Sequence, residues 1–115
     1  MPKYMLVAYD DTQSFANVSA DEMQAIIGKY MSWTRKIAEA GNLLTGEKLV
    51  EGRGRIVTRR NGSLDVSDGP YTEAREVIGG VWVIQASNEQ EALDIAASCP
   101  HSENARLGFY QVDEV

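Results

Sequence analysis

One cysteine, one histidine and three prolines among 115 residues leave several kinds of protein out of reach. A lone thiol, Cys99, forms no intramolecular disulfide, so the chain must hold itself together by its core, and a reducing, cytoplasmic setting is expected. A single histidine beside a single cysteine supplies none of the usual zinc ligand sets, and the carboxylates lack EF-hand spacing. Gly52-Arg53-Gly54 is not followed by the lysine and helix of a phosphate-cradling loop. No cofactor is therefore expected. No apolar run is long enough to span a membrane, and the short apolar opening runs straight into Asp10-Asp11 rather than into a cleavage site. Positive charge is scarce too: 11 basic residues face 17 acidic ones, a formal net charge of −6. Phosphate-backbone binding needs clustered cations that release counterions. The one basic cluster, Arg53, Arg55, Arg59 and Arg60, alternates as a solvated hairpin does. Neither nucleic acid nor membrane is an expected partner.

What is present describes one domain over residues 1–115, long enough to bury about two thirds of its unfolded surface. Residues 3–9 are apolar and aromatic enough for a central strand. Ser19-Ala20-Asp21-Glu22 reads as a capping box, the serine hydroxyl accepting from the backbone three residues on. Met23, Ile26, Ile27, Tyr30, Thr34, Ile37 and Ala38 then share one helical face, and Gly41 ends the helix. A strand over 43–50 comes next. Asn61-Gly62, between 55–60 and 63–66, is the strongest short-range hairpin signal. Residues 81–86 form a second central strand, Ser87-Asn88-Glu89-Gln90 caps a small-residue helix that Pro100 stops, and 107–112 make the last strand. The order predicts an α+β fold, the ferredoxin-like split βαβ arrangement (βαββαβ), with an inserted hairpin before the third principal strand. Two helices cover one sheet face. Apolar residues on both sides of the central strands predict that a second copy covers the other, as a homodimer. Cys99, at the end of an apolar helical face, reads as a small core residue. Trp82 reads as core packing, with a dimer-interface pocket as the other possibility.

The segment Asp68-Gly69-Pro70-Tyr71, with Glu73, Glu76, Gly79-Gly80 and Ala96-Ala97-Ser98-Cys99-Pro100, resembles the YCII-related family. Within that family it is similar to the DGPF-domain branch. Tyr71 stands where the branch has phenylalanine, and Arg75 where lysine is common. The resemblance implies a dimeric α+β barrel and little about activity. A His–Asp pair has been proposed as an active site in related proteins. Association with sigma factors in the branch implies a sigma-factor partner.

Split βαβ order gathers Asp10, Asp11, Asp68, Tyr71, Glu73, Arg75, Glu76 and His101 at one end of the sheet. His101 is the candidate acid/base group, since imidazole titrates near neutrality. Asp68 is the candidate that orients it. Asp10, Tyr71, Glu73 and Arg75 are candidate ligand contacts. Each has a structural alternative. A histidine at a helix end meets the last carbonyls or faces water, Asp-Gly-Pro is turn chemistry, and Glu73, Arg75 and Glu76 suit a solvated short helix. Two functions are compatible with these residues. The first is a cofactor-free protein binding a small organic ligand near the dimer interface, with acid/base chemistry of the lyase or isomerase type. The alternative is a non-catalytic sensing or interaction module linked to transcription.

Overall fold

A computed structural model describes residues 1–11, 17–68 and 76–114. The elements are β1 (Lys3–Asp11), α1 (Ala20–Glu39), β2 (Leu43–Lys48), β3 (Arg55–Arg60), β4 (Ser63–Asp68), β5 (Glu76–Gln85), α2 (Glu89–Ala97), a 3₁₀ turn (Pro100–Glu103) and β6 (Leu107–Gln111). The main sheet is antiparallel with order β2-β5-β1-β6, and β3 and β4 form a separate hairpin. Leaving the hairpin aside, this is the strand order of the ferredoxin-like α+β fold, as the chain order predicts.

Local chemistry explains the boundaries. Ser19 Oγ accepts from the Glu22 N–H at 3.1 Å, as its capping pattern requires. Asn88, within the predicted cap segment, accepts from the Glu91 N–H at 2.9 Å. Glu91 returns to accept from the Ser87 N–H at 3.0 Å, and that bond holds its carboxyl below the usual range. At the hairpin tip Asn61 and Gly62 both adopt positive φ, 50° and 82°. Those values suit the primed turn that Asn-Gly favours. The third principal strand begins five residues earlier than the hydrophobic run suggests, because Glu76 to Gly80 pair with the far end of β1.

Helices and sheet meet over Tyr4, Leu6 and Ile84 from the strands, Trp33 and Ile37 from α1, and Ala92, Ala96 and Cys99 from the second half of the chain. Burying a side chain such as Leu6 or Ile84 stabilises the fold by about 1.5–3 kcal/mol. Trp33 lies edge-on to Trp82 with ring centroids 5.3 Å apart, and its Nε1–H donates to Ser98 Oγ at 2.9 Å. Trp82 therefore belongs to the helix-covered side, as core packing. Strand alternation turns Met5, Val7, Val81 and Val83 to the opposite face, where Met5 is paired with Val83 and Val7 with Val81.

One irregularity interrupts the centre of the sheet. The β1–β5 ladder runs from Lys3–Gln85 to Ala8–Gly80 and resumes at Tyr9–Ile78, leaving Gly79 as an extra, bulged residue.

Candidate functional site

At the rim where β1 ends, three side chains from distant parts of the chain converge. β1 outruns β6, whose pairing with it stops at Ala8–Leu107, so the Tyr9 carbonyl projects past the ladder. Pro100 opens the 3₁₀ turn and carries His101 across that end. The imidazole is 5% exposed. Its Nε2 lies 2.9 Å from the Tyr9 carbonyl oxygen, and its Nδ1 lies 2.8 Å from the Tyr30 hydroxyl. A carbonyl only accepts, so Nε2 carries the hydrogen. In the neutral ring Nδ1 is then the lone-pair nitrogen, accepting from Tyr30.

Asp10 supplies the third group. Its Oδ1 is 3.9 Å from Nδ1, and its side chain is 28% exposed, so it faces solvent while the imidazole behind it does not. Alternation along β1 puts Asp10 on the helix side with Tyr4 and Leu6. Room for its carboxylate comes from the bulge. A Cβ on Gly79 would fall 1.8 Å from Asp10 Oδ2 and 2.7 Å from its Cγ. The absent side chain at Gly79 thus seats the acid beside the histidine.

Tyr30 is held from behind, its ring nearly parallel to Trp82 with centroids 6.3 Å apart, while His101 lies 6.2 Å away on a tilted plane. Burial, with the nearby Cys99, Asp10 and Glu103, pushes its phenol up to about 12. Burial likewise pushes the Cys99 thiol up to about 11, against the lowering effect of a hydrogen bond from the His101 backbone. Cys99 is therefore an inert core thiol, as its position suggests. Both groups are neutral when protonated, and folding raises both values. Their contribution is complete below the unfolded values and is lost as pH rises through the folded ones. Partial exposure of Tyr30 reduces its share to about 1–2 kcal/mol, while the buried Cys99 contributes about 2–3 kcal/mol. Denaturant unfolding is expected to show stability falling between about pH 9 and 12, with a shallower fall in Tyr30→Phe.

A second polar group lies on the other side of the same rim. Glu76 accepts from Arg106, whose Nε–Oε1 contact is 3.0 Å, and this partner holds the guanidinium value up. Arg106 sits over the Tyr9 ring, 5.3 Å from its centroid, and the Tyr9 and Tyr110 hydroxyls lie 3.2 Å apart.

Of the residues singled out from the sequence, Asp10, Asp11, Glu76 and His101 lie at this rim, Asp10 beside His101 and Asp11 in register with Glu76. Glu76 opens β5 rather than a short helix, and His101 is buried against β1 rather than solvated at its helix end. Asp68 closes β4, in register with Arg55 on the hairpin. Tyr71, Glu73 and Arg75 lie outside the described residues. The carboxylate beside Nδ1 is that of Asp10. Tyr30, Gly79 and Arg106 are site residues that the sequence reading does not single out. Tyr30 sits on the predicted inner helix face, and a polar tip on an inward aromatic is the signal that marks it. Two open clefts lie elsewhere, one around Met1, Pro2 and the end of β6, the other between Ala25, Lys36 and Glu103. Neither is lined by Asp10 or His101. No cluster of His, Cys, Asp and Glu suited to a metal ion occurs among the described residues, and no helix there is long and apolar enough to cross a membrane.

The strand order, the helices on one face and the hairpin inserted before β5 define a ferredoxin-like α+β protein of the kind that builds α+β barrels. The YCII-related domain matches residues 2–115, and the chain belongs to that family. It is also similar to an uncharacterized protein of Rhizobium meliloti (strain 1021), 29% identical over 110 residues that cover 95% of this chain and 88% of the relative.

Proposed function

We propose that the rim formed by Asp10, His101 and Tyr30 binds a small organic ligand and performs cofactor-free acid/base chemistry of the lyase or isomerase type. The observation that carries this reading is the buried imidazole with hydrogen assigned to Nε2, its Nδ1 bonded to Tyr30 and within 3.9 Å of a partly exposed carboxylate. Asp10 meets the ligand. On the imidazole a proton has one acceptor, Nδ1, since Nε2 already carries hydrogen, and the Tyr30 hydroxyl then turns so that its oxygen accepts instead of donating. Asp10, with Oδ1 3.9 Å from Nδ1, is the carboxylate that faces the ring in that state. In this reading Asp10 is the carboxylate paired with His101, the part expected of Asp68 from the sequence, and Tyr71, Glu73 and Arg75 are proposed as further ligand contacts. A solvent-facing His101 on a filled rim would have favoured the interaction module linked to a sigma factor, and a dry pocket around His101 the ligand. The imidazole is buried, and Asp10 is the group through which a ligand reaches it in this reading.

The partner in this reading is a second copy. Apolar cross-strand pairs on the face turned away from the helices, with Ile78 49% and Tyr110 53% exposed, support sheet-to-sheet closure as a homodimer.

A thermal-shift screen of small carboxylic acids, phenols and keto acids tests the site. A true ligand at a hundredfold excess over its dissociation constant adds about 2.7 kcal/mol to apparent stability. The shift is expected to vanish in Asp10→Asn while the unliganded melting temperature stays near that of the wild type. Shifts that survive in both Asp10→Asn and Tyr30→Phe would place binding elsewhere.

A further inference from the structure

The β3–β4 hairpin does not sit on the body of its own protomer. Its residues are exposed from Arg55 through Val66. The radius of gyration is 16.2 Å, against about 13 Å for a compact chain of this length. The extents of 47 × 44 × 17 Å leave thickness for one sheet and one helix layer, so the hairpin stands beside the body as an arm. A two-stranded hairpin alone is marginal in water. This one also carries an apolar stripe. Val57 is paired with Val66, and Leu64 lies on the same face, with exposures of 62%, 48% and 59%. Val50, 71% exposed, extends the apolar surface to the root of the arm.

We infer that the arm clasps a second copy of this chain, its stripe lying on that copy while the open sheet faces close on each other. The inference rests on the homodimer proposed for this chain, and two further observations carry it. The first is area. Four strands at roughly 4.8 Å spacing and about seven residues long give a face of about 500 Å². A stable interface needs about 800 Å² from each partner. One face of a six-residue hairpin adds about 200 Å², which brings the sum close to that requirement. The second is charge. Residues 51–68 carry four of the 11 basic residues, Arg53, Arg55, Arg59 and Arg60, against three acidic ones, whereas outside them seven basic residues face fourteen acidic ones. Two acidic bodies repel when they approach, and an arm with a slight positive excess is the part of each that meets the other's acidic surface without adding to that repulsion.

Sedimentation equilibrium on the full chain tests this with three proteins: wild type, Val57→Lys/Val66→Lys on the arm, and Val81→Asp on the open face. The wild type is expected to be a dimer and Val81→Asp a monomer. The arm variant is expected to weaken dimerisation at least tenfold with an unchanged far-ultraviolet circular dichroism spectrum. Should the lysines unravel the hairpin, Val57→Thr/Leu64→Thr keeps strand propensity and should weaken the dimer in the same direction. A dimer that Val81→Asp dissociates but both arm variants leave within twofold of wild type overturns the clasp and spares the sheet interface. A wild type that stays monomeric at about 100 µM, a concentration that populates even weak dimers, overturns both.

Discussion

Gly79→Ala is expected to leave the fold standing and remove the site. The added methyl would lie 1.8 Å from Asp10 Oδ2, far inside contact distance, so the carboxylate must rotate away from His101. The obstructing atom is the end of a mobile side chain, and the backbone at Gly79 is not in the left-handed region. The cost to stability is therefore limited to an altered rotamer, about 0.5–1.5 kcal/mol. The cost to the site is larger. A hydrogen bond to a charged group is worth about 1.5–3 kcal/mol, which corresponds to a ten- to hundredfold loss of ligand affinity. Isothermal titration with a ligand found by the screen, set beside a thermal melt, separates the two effects. Equal losses in both would mean that Gly79 serves the fold alone.

His101→Ala is expected to do the opposite and damage both. The imidazole is buried, and its removal strands the Tyr9 carbonyl and the Tyr30 hydroxyl. Leaving a buried polar group unpaired costs about 1–3 kcal/mol, so a total of about 2–5 kcal/mol is expected. At about 3–6 °C per kcal/mol for a domain of this size, the melting temperature should fall by roughly 6–30 °C. His101→Gln separates the roles. Its amide donates to the Tyr9 carbonyl and recovers part of the stability, but it has no nitrogen able to take up a proton, so turnover stays lost. Full activity in His101→Gln would rule out proton transfer through this ring.

Periodic and capping signals made the fold legible. The Ser19 cap, the inner face of α1, the Asn61-Gly62 turn and the Pro100 stop each act through local physics that a sequence displays. They sufficed for strand order and for the separate hairpin. The rim was legible in part, because topology alone brings the end of β1 to the approach of β5. Whether His101 would face water or the core was not legible, since that depends on β1 outrunning β6 by several residues. The choice of Asp10 as its carboxylate depends on a one-residue bulge at Gly79, and two adjacent glycines do not reveal which one is extra. Tyr30 illustrates a third limit. Helical periodicity assigns it to the inner face, but only the tertiary fold sets its hydroxyl against Nδ1 and its ring against Trp82.

The proposed proton transfer at the rim turns on which imidazole nitrogen holds the hydrogen. His101 is the only histidine, so ¹⁵N resonances of the labelled side chain belong to one ring. The expected spectrum of the neutral form shows hydrogen on Nε2 and a hydrogen-bonded lone pair on Nδ1, with Tyr30→Phe moving the Nδ1 signal and leaving Nε2 in place. Hydrogen on Nδ1, or an Nδ1 signal indifferent to Tyr30→Phe, would contradict it.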